Sequence, residues 1–255
     1  MDRASLKMVI EAVLFDIYGT LLFVSEESVM VRSRMIANFL KAHGIDTDPE
    51  DVALKAAHRW IEFSRGYFAD VYAYFRAILQ DIADRDHYDD RFMDELIEVG
   101  ALDSEAELAP DVTKTLDELS ELGIKCGIVS NSPCYYAIRD LGSAGILDYF
   151  DVLGISSRWK ITKPDPEIFL RTASALNVKP QHVLAVGNDP LEDVKGAKLA
   201  DMKSALLNKS LKGMWSTSRA VFGECMDEIE CEPDYIIEEI GEILTIIYDE
   251  QHQDI

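Results

Sequence analysis

The stretch AVLFDIYGTL, Ala12 to Leu21, decides the fold. Ala12–Asp16 is a short, almost wholly apolar run that ends abruptly in a carboxylate. Gly19 and Thr20 follow at once, which marks a turn. A strand buried on both faces reads as a continuous apolar run rather than an alternation, and such strands belong to parallel sheets covered by helices. Further runs of the same kind follow: Ile124–Ser130, Phe150–Ile155, His182–Gly187, Lys203–Leu207 and Asp234–Ile237. Helical patterns separate them. Pro110–Leu122 stops at Gly123, Asp165–Leu176 begins with acidic residues, and Leu191–Ala200 follows a GNDP turn. The alternation predicts an α/β fold, a Rossmann-like parallel sheet with crossover helices.

Residues 25–105 break the alternation and read as helical throughout. Ser25–His43 ends at Gly44, a long pattern runs from Pro49 to about Ala83, and Asp89–Val99 follows. Trp60, Phe63, Tyr67, Phe68, Tyr72, Tyr74 and Phe75 recur at three- and four-residue intervals, as a single buried stripe would. A helical insertion placed directly after the first strand predicts an all-helical cap domain over 25–105, with the core formed by 1–24 and 106–255.

The chain's 255 residues, 48% of them hydrophobic, suffice for a substantial core. Its net charge of −22 argues against nucleic acid or an anionic membrane as partner. Twelve of the acidic residues lie in 224–255, where no Lys or Arg occurs, and a solvated acidic helix face accounts for them. No run approaches the roughly eighteen apolar residues of a membrane span, and the N-terminus shows no cleavage pattern. A cytoplasmic location is expected. Cys126, Cys134, Cys225 and Cys231 have neither zinc-ribbon nor redox spacing, and Cys126 reads as core.

Ligands of open α/β sheets bind at the carboxyl ends of the strands. There the sequence places Asp16-Ile17-Tyr18-Gly19-Thr20, then Ser130-Asn131, then Lys163-Pro164-Asp165, then Gly187-Asn188-Asp189 with Asp193 beyond. Asp16 can attack an electrophile and form a covalent intermediate. Gly19 permits a turn or a close approach, and Thr20 can bond nearby oxygens. Ser130, Asn131 and the adjoining N–H groups can hold a phosphoryl or carboxylate oxygen. Lys163 supplies a mobile cation for developing negative charge.

These four segments together resemble the haloacid dehalogenase superfamily. FDIYGTL is similar to its first motif, GIVSN to its second, KPDPEIF to its third and VGNDPLEDVKGAKLADM to its fourth. The likeness covers about 9–23 and 107–207, and the helical insertion matches members whose cap follows the first motif. It implies a hydrolase with Asp16 as nucleophile, acting on a small anionic substrate. It also implies Mg²⁺ held by Asp16, the Tyr18 carbonyl and Asp189. Asn188 stands where the family often has an acidic residue. Asp193 either orients Lys163 or metal-bound water, or serves as a first-turn carboxylate on its helix.

Tyr18 departs from the family's phosphatases, which usually carry a second aspartate there as general acid and base. A phenol with a pKa near 10 is a poor substitute at neutral pH. Members acting on 2-haloacids do have tyrosine at this place, because halide leaves without protonation. Those dehalogenases need no metal, however, and place Ser and Asn where this chain has Asn188 and Asp189. They also have a tyrosine where this chain has Phe169. A retained Asp189 points to Mg²⁺ and phosphoryl transfer. Hydrolysis of a small phosphorylated metabolite is therefore the expected activity. Haloacid dehalogenation, phosphonate cleavage and non-catalytic binding of a small anion are the alternatives.

Overall fold

A computed structural model describes residues 10–83, 88–101, 106–208 and 231–252. Residues 1–9, the expected end of the cap at 102–105, and Cys225 with its acidic neighbours lie outside them. In chain order come β1 (Ala12–Phe15), β2 (Leu22–Phe23), α1 (Glu26–Ala42), α2 (Pro49–Ser64), α3 (Val71–Ala83), α4 (Asp90–Ala101), β3 (Glu107–Leu108), α5 (Val112–Glu121), β4 (Lys125–Ser130) and α6 (Cys134–Ser143). There follow β5 (Val152–Ile155), α7 (Ser156–Trp159), α8 (Pro166–Ala175), β6 (Val183–Gly187), a π-helical turn over Pro190–Lys195 continued by α9 (Gly196–Leu199), β7 (Lys203–Leu207), β8 (Tyr235–Ile237) and α10 (Glu242–His252).

Six strands form one sheet in the order β5-β4-β1-β6-β7-β8, each neighbouring pair parallel. All six expected strands are present in it. β1 is central, with Leu14 opposite Gly127 on one side and Ala185 on the other. Successive side chains of a strand point to opposite faces, and β1 uses both. Val13 and Phe15 join a core with Leu116, Leu119, Leu141, Ile243 and Ile247. Ala12 and Leu14 join another with Ile168, Phe169, Ala173 and Ala197. Burial on both sides explains why the sequence at 12–15 carries no polar alternation.

The helices α1–α4 enclose a third apolar cluster built on Ile36, Leu40, Phe63, Tyr74, Phe75 and Leu96. Ser25 caps α1 by accepting the Ser28 N–H at 3.0 Å, and Asp48 caps α2 by accepting that of Asp51 at 2.8 Å. The chain leaves the sheet through β2 and returns through β3, which pair antiparallel with Leu22 opposite Leu108.

Two details differ from the sequence reading. The pattern expected to run unbroken from Pro49 to Ala83 is two helices, because Gly66 adopts a φ of +74° two residues past the end of α2. A Cβ there would lie 2.7 Å from the Ser157 carbonyl oxygen. The aromatic stripe is also incomplete: Phe63, Tyr74 and Phe75 are buried, while Tyr67 and Tyr72 face solvent. Among the described residues, no helix is long and apolar enough to cross a membrane.

Candidate active site

Asp16 directly follows β1, and its N–H donates to the Val186 carbonyl at 2.9 Å, continuing the ladder by one residue. That places a carboxylate, only 8% exposed, at the carboxyl end of the central strand. Lys163 reaches it from a loop 147 positions later: Nζ lies 2.7 Å from Asp16 Oδ1 and 2.5 Å from Asp193 Oδ1. The loop is held by a reciprocal pair. The Lys163 N–H donates to Asn131 Oδ1 at 2.8 Å, and Asn131 Nδ2 donates to the Lys163 carbonyl at 3.1 Å. Asn131 thus ties the end of β4 to the segment carrying the cation. Ser130, the last residue of β4, is buried beside it.

Burial by itself would push the Lys163 ammonium down. The carboxylates of Asp16, Asp193 and Glu192 outweigh that and hold its pKa well above the ordinary lysine value. The carboxyls answer in the opposite sense. Burial pushes Asp193 up to about 7 against the pull of Lys163. Glu192 is likewise pushed up to about 7 by burial, with the charges of Asp189 and Asp16 adding to it. One ammonium therefore faces an excess of carboxyl oxygen.

Asp189 begins the π-helical turn as its cap: Oδ1 accepts the N–H groups of Leu191 and Glu192, both at 2.8 Å. Its own N–H donates to Asp193 Oδ2 at 2.9 Å. Asp193 therefore bonds both Lys163, through Oδ1, and the first turn of its own helix, through Oδ2. Asn188 packs against the first motif, where Thr20 Oγ1 donates to its Oδ1 at 3.2 Å. Gly19 is required at this contact. Its φ is +88°, and a Cβ would stand 2.6 Å from Asn188 Nδ2.

Oxygen-rich, carboxylate-heavy surroundings suit a hard cation. Among the described residues, no group of three or more His, Cys, Asp or Glu side chains is gathered where it could hold a metal ion. Mg²⁺ does not need one, since it retains waters and is commonly held through one or two carboxylates plus substrate oxygens. Asp16 and Asp189 are carboxylates of that kind, and with the Tyr18 carbonyl would supply such donors.

The Tyr18 hydroxyl is committed elsewhere. It donates to Asp140 Oδ2 at 2.6 Å; Arg139 Nε donates to Asp140 Oδ1 at 2.8 Å, and the ion pair brings Nη2 to the same distance from that oxygen. Burial, then the Asp140 charge, raise the phenol's pKa well above its ordinary value, so it stays neutral. Its ring meets Trp60 of α2 edge-on at 6.0 Å, and Trp60 in turn contacts Tyr136 at 4.9 Å. The end of α2 lies against α7, where Ser156 Oγ donates to the Ser64 carbonyl at 2.5 Å and Lys160 Nζ, just past the helix, to that of Gly66. Asp140, Arg139 and Glu192 were not singled out from the sequence. Glu192, inside the fourth motif beside Asp193, could have been. Asp140 and Arg139 carry no signal before the fold brings α6 to Tyr18.

The profile described as haloacid dehalogenase-like hydrolase matches residues 10–201, and a second, described as HAD-hydrolase-like, matches 160–243. The chain belongs to the haloacid dehalogenase-like hydrolase family. Its curated relatives include a glyceraldehyde 3-phosphate phosphatase of Methanopyrus kandleri, 34% identical over 39% of this chain and 43% of that one. The chain therefore spans under half the length of that relative. A glyceraldehyde 3-phosphate phosphatase of Pyrococcus furiosus is 24% identical over 96% of both chains. The phosphoglycolate phosphatase of Escherichia coli K12 is 30% identical over 62% of this chain and 56% of its own.

Among solved structures, a 2-haloacid dehalogenase from Pseudomonas syringae superposes with a TM-score of 0.69 at 20% identity, covering 94% of this chain and 99% of that one, a likeness of fold alone. A HAD phosphatase from Thermococcus onnurineus superposes with a TM-score of 0.62 at 27% identity, covering 93% and 97%. This hydrolase thus has relatives named for phosphatase activity and fold neighbours that include dehalogenases.

Proposed function

We propose that this hydrolase cleaves a small phosphorylated metabolite in the cytoplasm, with Mg²⁺ as cofactor and Asp16 as nucleophile. The observation that carries the reading is the buried Asp16–Lys163–Asp193 chain at the carboxyl edge of the sheet, with Glu192 and Asp189 beside it. Asp16 attacks phosphorus, the bond to the leaving oxygen breaks, and water then attacks the acyl phosphate to release phosphate and restore Asp16. Lys163 neutralises charge on the transferring group, while Asp193 fixes where its ammonium stands. Ser130 and the backbone N–H groups beside Asn131 orient the phosphoryl oxygens, while Thr20 fixes Asn188 and the Asn131 amide holds the Lys163 segment. Bound by Asp16, the Tyr18 carbonyl and Asp189, with Asn188 nearby, Mg²⁺ would shield the phosphoryl charge from the attacking carboxylate. The helices of 25–105 act as a cap that closes over Asp16 and excludes water; the contacts of Ser64 and Gly66 with α7 and Lys160 support that position.

A second reading, cleavage of a 2-haloacid by attack of Asp16 on carbon, is favoured by one observation. The Tyr18 phenol, neutral and bonded to Asp140, leaves a phosphate ester's leaving alkoxide without the family's usual acid. One panel separates the two: an aryl phosphate, a sugar phosphate and 2-chloropropionate, each with Mg²⁺ and with chelator. Phosphate release that chelator abolishes is expected. Chloride release that survives chelator would install the second reading.

A further inference from the structure

The bond from the Tyr18 hydroxyl to Asp140 ties the turn after β1 to α6, the helix that follows β4. That helix is itself fixed at its start, where the Cys134 N–H donates to Ser157 Oγ at 2.8 Å. Asp140 is only 5% exposed, and a carboxylate so deeply buried needs a partner. Arg139 supplies it. Neighbouring residues on a helix do not face each other, and the guanidinium lies over the Tyr136 ring, 4.6 Å from its centre, to reach Asp140. Among the described residues, Arg139 Nη1 is buried without a hydrogen-bond partner. Replacing a buried ion pair by apolar packing is often neutral or stabilising. Stability alone therefore does not account for the pair.

What the pair holds is Tyr18. The Tyr18 carbonyl belongs to the peptide shared with Gly19, whose N–H donates to the Leu22 carbonyl at 2.8 Å. In a trans, planar peptide the Tyr18 carbonyl then points away from Leu22. Gly19 has a φ of +88°, and glycine adopts either sign of φ at little cost. This peptide would turn over readily if its ends were not fixed. Asp140 fixes one end through the Tyr18 side chain, while Trp60 meets the same ring edge-on.

We propose that Asp140 is a positioning residue of the active site, acting through Tyr18 to hold the turn that carries Asp16 and the Tyr18 carbonyl, and that Arg139 holds Asp140 in turn. This role rests on Asp16 being the nucleophile, and it applies to attack on phosphorus and on carbon alike.

Amide hydrogen exchange of the full chain tests it without any substrate. Tyr18→Phe keeps the ring beside Trp60 and leaves Asp140 its guanidinium. In that variant the amides of 17–22 should exchange at least about tenfold faster, the usual worth of a hydrogen bond to a charged group. Amides of β4 and β6 should keep their wild-type rates, because the loosening is local. Asp140→Leu should act in the same way, and the double variant should exchange no faster than either single one, since both remove one bond. Tyr18→Phe decides alone if Asp140→Leu does not fold. Unchanged exchange at 17–22 would overturn the proposal, and so would a rise shared equally by β4 and β6, which would reduce the bond to overall stability.

Turnover of an aryl phosphate supplies the second readout. Each single variant should lower kcat about tenfold at little-changed KM, and the double variant should lower it no further. A further loss in the double variant would show the Tyr18 hydroxyl acting on the substrate itself, and Asp140 would lose its role through Tyr18. Absence of phosphate release by the wild type would count against the phosphatase reading alone, because the exchange rates do not depend on it.

Discussion

At Asp16 a carboxylate and an ammonium are buried together, and each explains the other's cost. An isolated charge in that position would be costly, whereas Lys163, bonded to both Asp16 and Asp193, gives the buried carboxylates a partner and holds the Asp16 side chain in place. Asp16→Asn keeps the shape and removes the proposed nucleophile, so turnover should fall to less than about a hundredth while the thermal transition stays cooperative. Phosphate release above about a tenth of the wild-type rate would show that Asp16 is not the attacking group. Lys163→Met leaves two buried carboxylates without their cation, and breaking a buried pair costs about 3–5 kcal/mol. Denaturant titration should show that loss, and adding Asp193→Asn should recover part of it. If the double variant is no more stable than Lys163→Met, the three side chains are not coupled as described. Tyr18 is the third case. General acid catalysis is worth roughly 10²–10⁴-fold, so Tyr18→Asp should raise kcat/KM on alkyl phosphates more than on aryl phosphates, whose leaving groups need less help. An unchanged alkyl-to-aryl ratio would refute that account of the leaving group.

The last strand and the element beside it show how a sheet edge is held by one carboxylate. Asp234 precedes β8 and is bonded by Lys198 Nζ at 2.5 Å and by the N–H and hydroxyl of Ser204 at 2.8 and 3.1 Å. Partial burial would raise its pKa, but these donors outweigh that and lower it below the usual value of 3.8. A carboxyl depressed on folding adds stability above its unfolded value, and that stability is lost as pH falls through the folded one. Asp234→Asn should therefore cost about 1 kcal/mol at pH 7, with the difference shrinking below roughly pH 3.8. A constant difference across that range would mean that charge plays no part at this edge. The six strands were legible in the sequence because each is buried on both faces and bounded by turn residues. The site residues were legible because a parallel sheet sends every strand end to one edge. What escaped was set by tertiary contact. The aromatic spacing runs through 65–70 as if helical, and only the approach of Ser157 to Gly66 explains the break. Strands of two residues, such as β2 and β3, carry no period to read. The partner of Tyr18 is Asp140, 122 positions away, which no local pattern reveals.

For the whole molecule the dominant quantity is its net charge of −22, which raises the local concentration of cations around every carboxylate and makes unspecific binding a real competitor to a specific site. A cation that binds the folded state stabilises it by RT ln(1 + [L]/Kd), about 2.7 kcal/mol at a hundredfold excess over Kd. For a chain of this size each kcal/mol moves Tm by about 2–4 °C. At constant ionic strength, millimolar Mg²⁺ should thus raise Tm by several degrees if Asp16, the Tyr18 carbonyl and Asp189 hold it, and chelator should reverse the shift. Screening of the overall charge would act equally on any variant, so Asp16→Asn is the control that separates the two effects. A shift that persists in Asp16→Asn belongs to the surface. One that disappears there belongs to the site, and with it the carboxyls of Glu192 and Asp193, pushed up to about 7 by burial, gain the counter-charge that Lys163 alone does not supply. No shift in the wild type at saturating Mg²⁺ would remove the metal from the mechanism and leave carbon–halogen cleavage as the chemistry to test at Asp16.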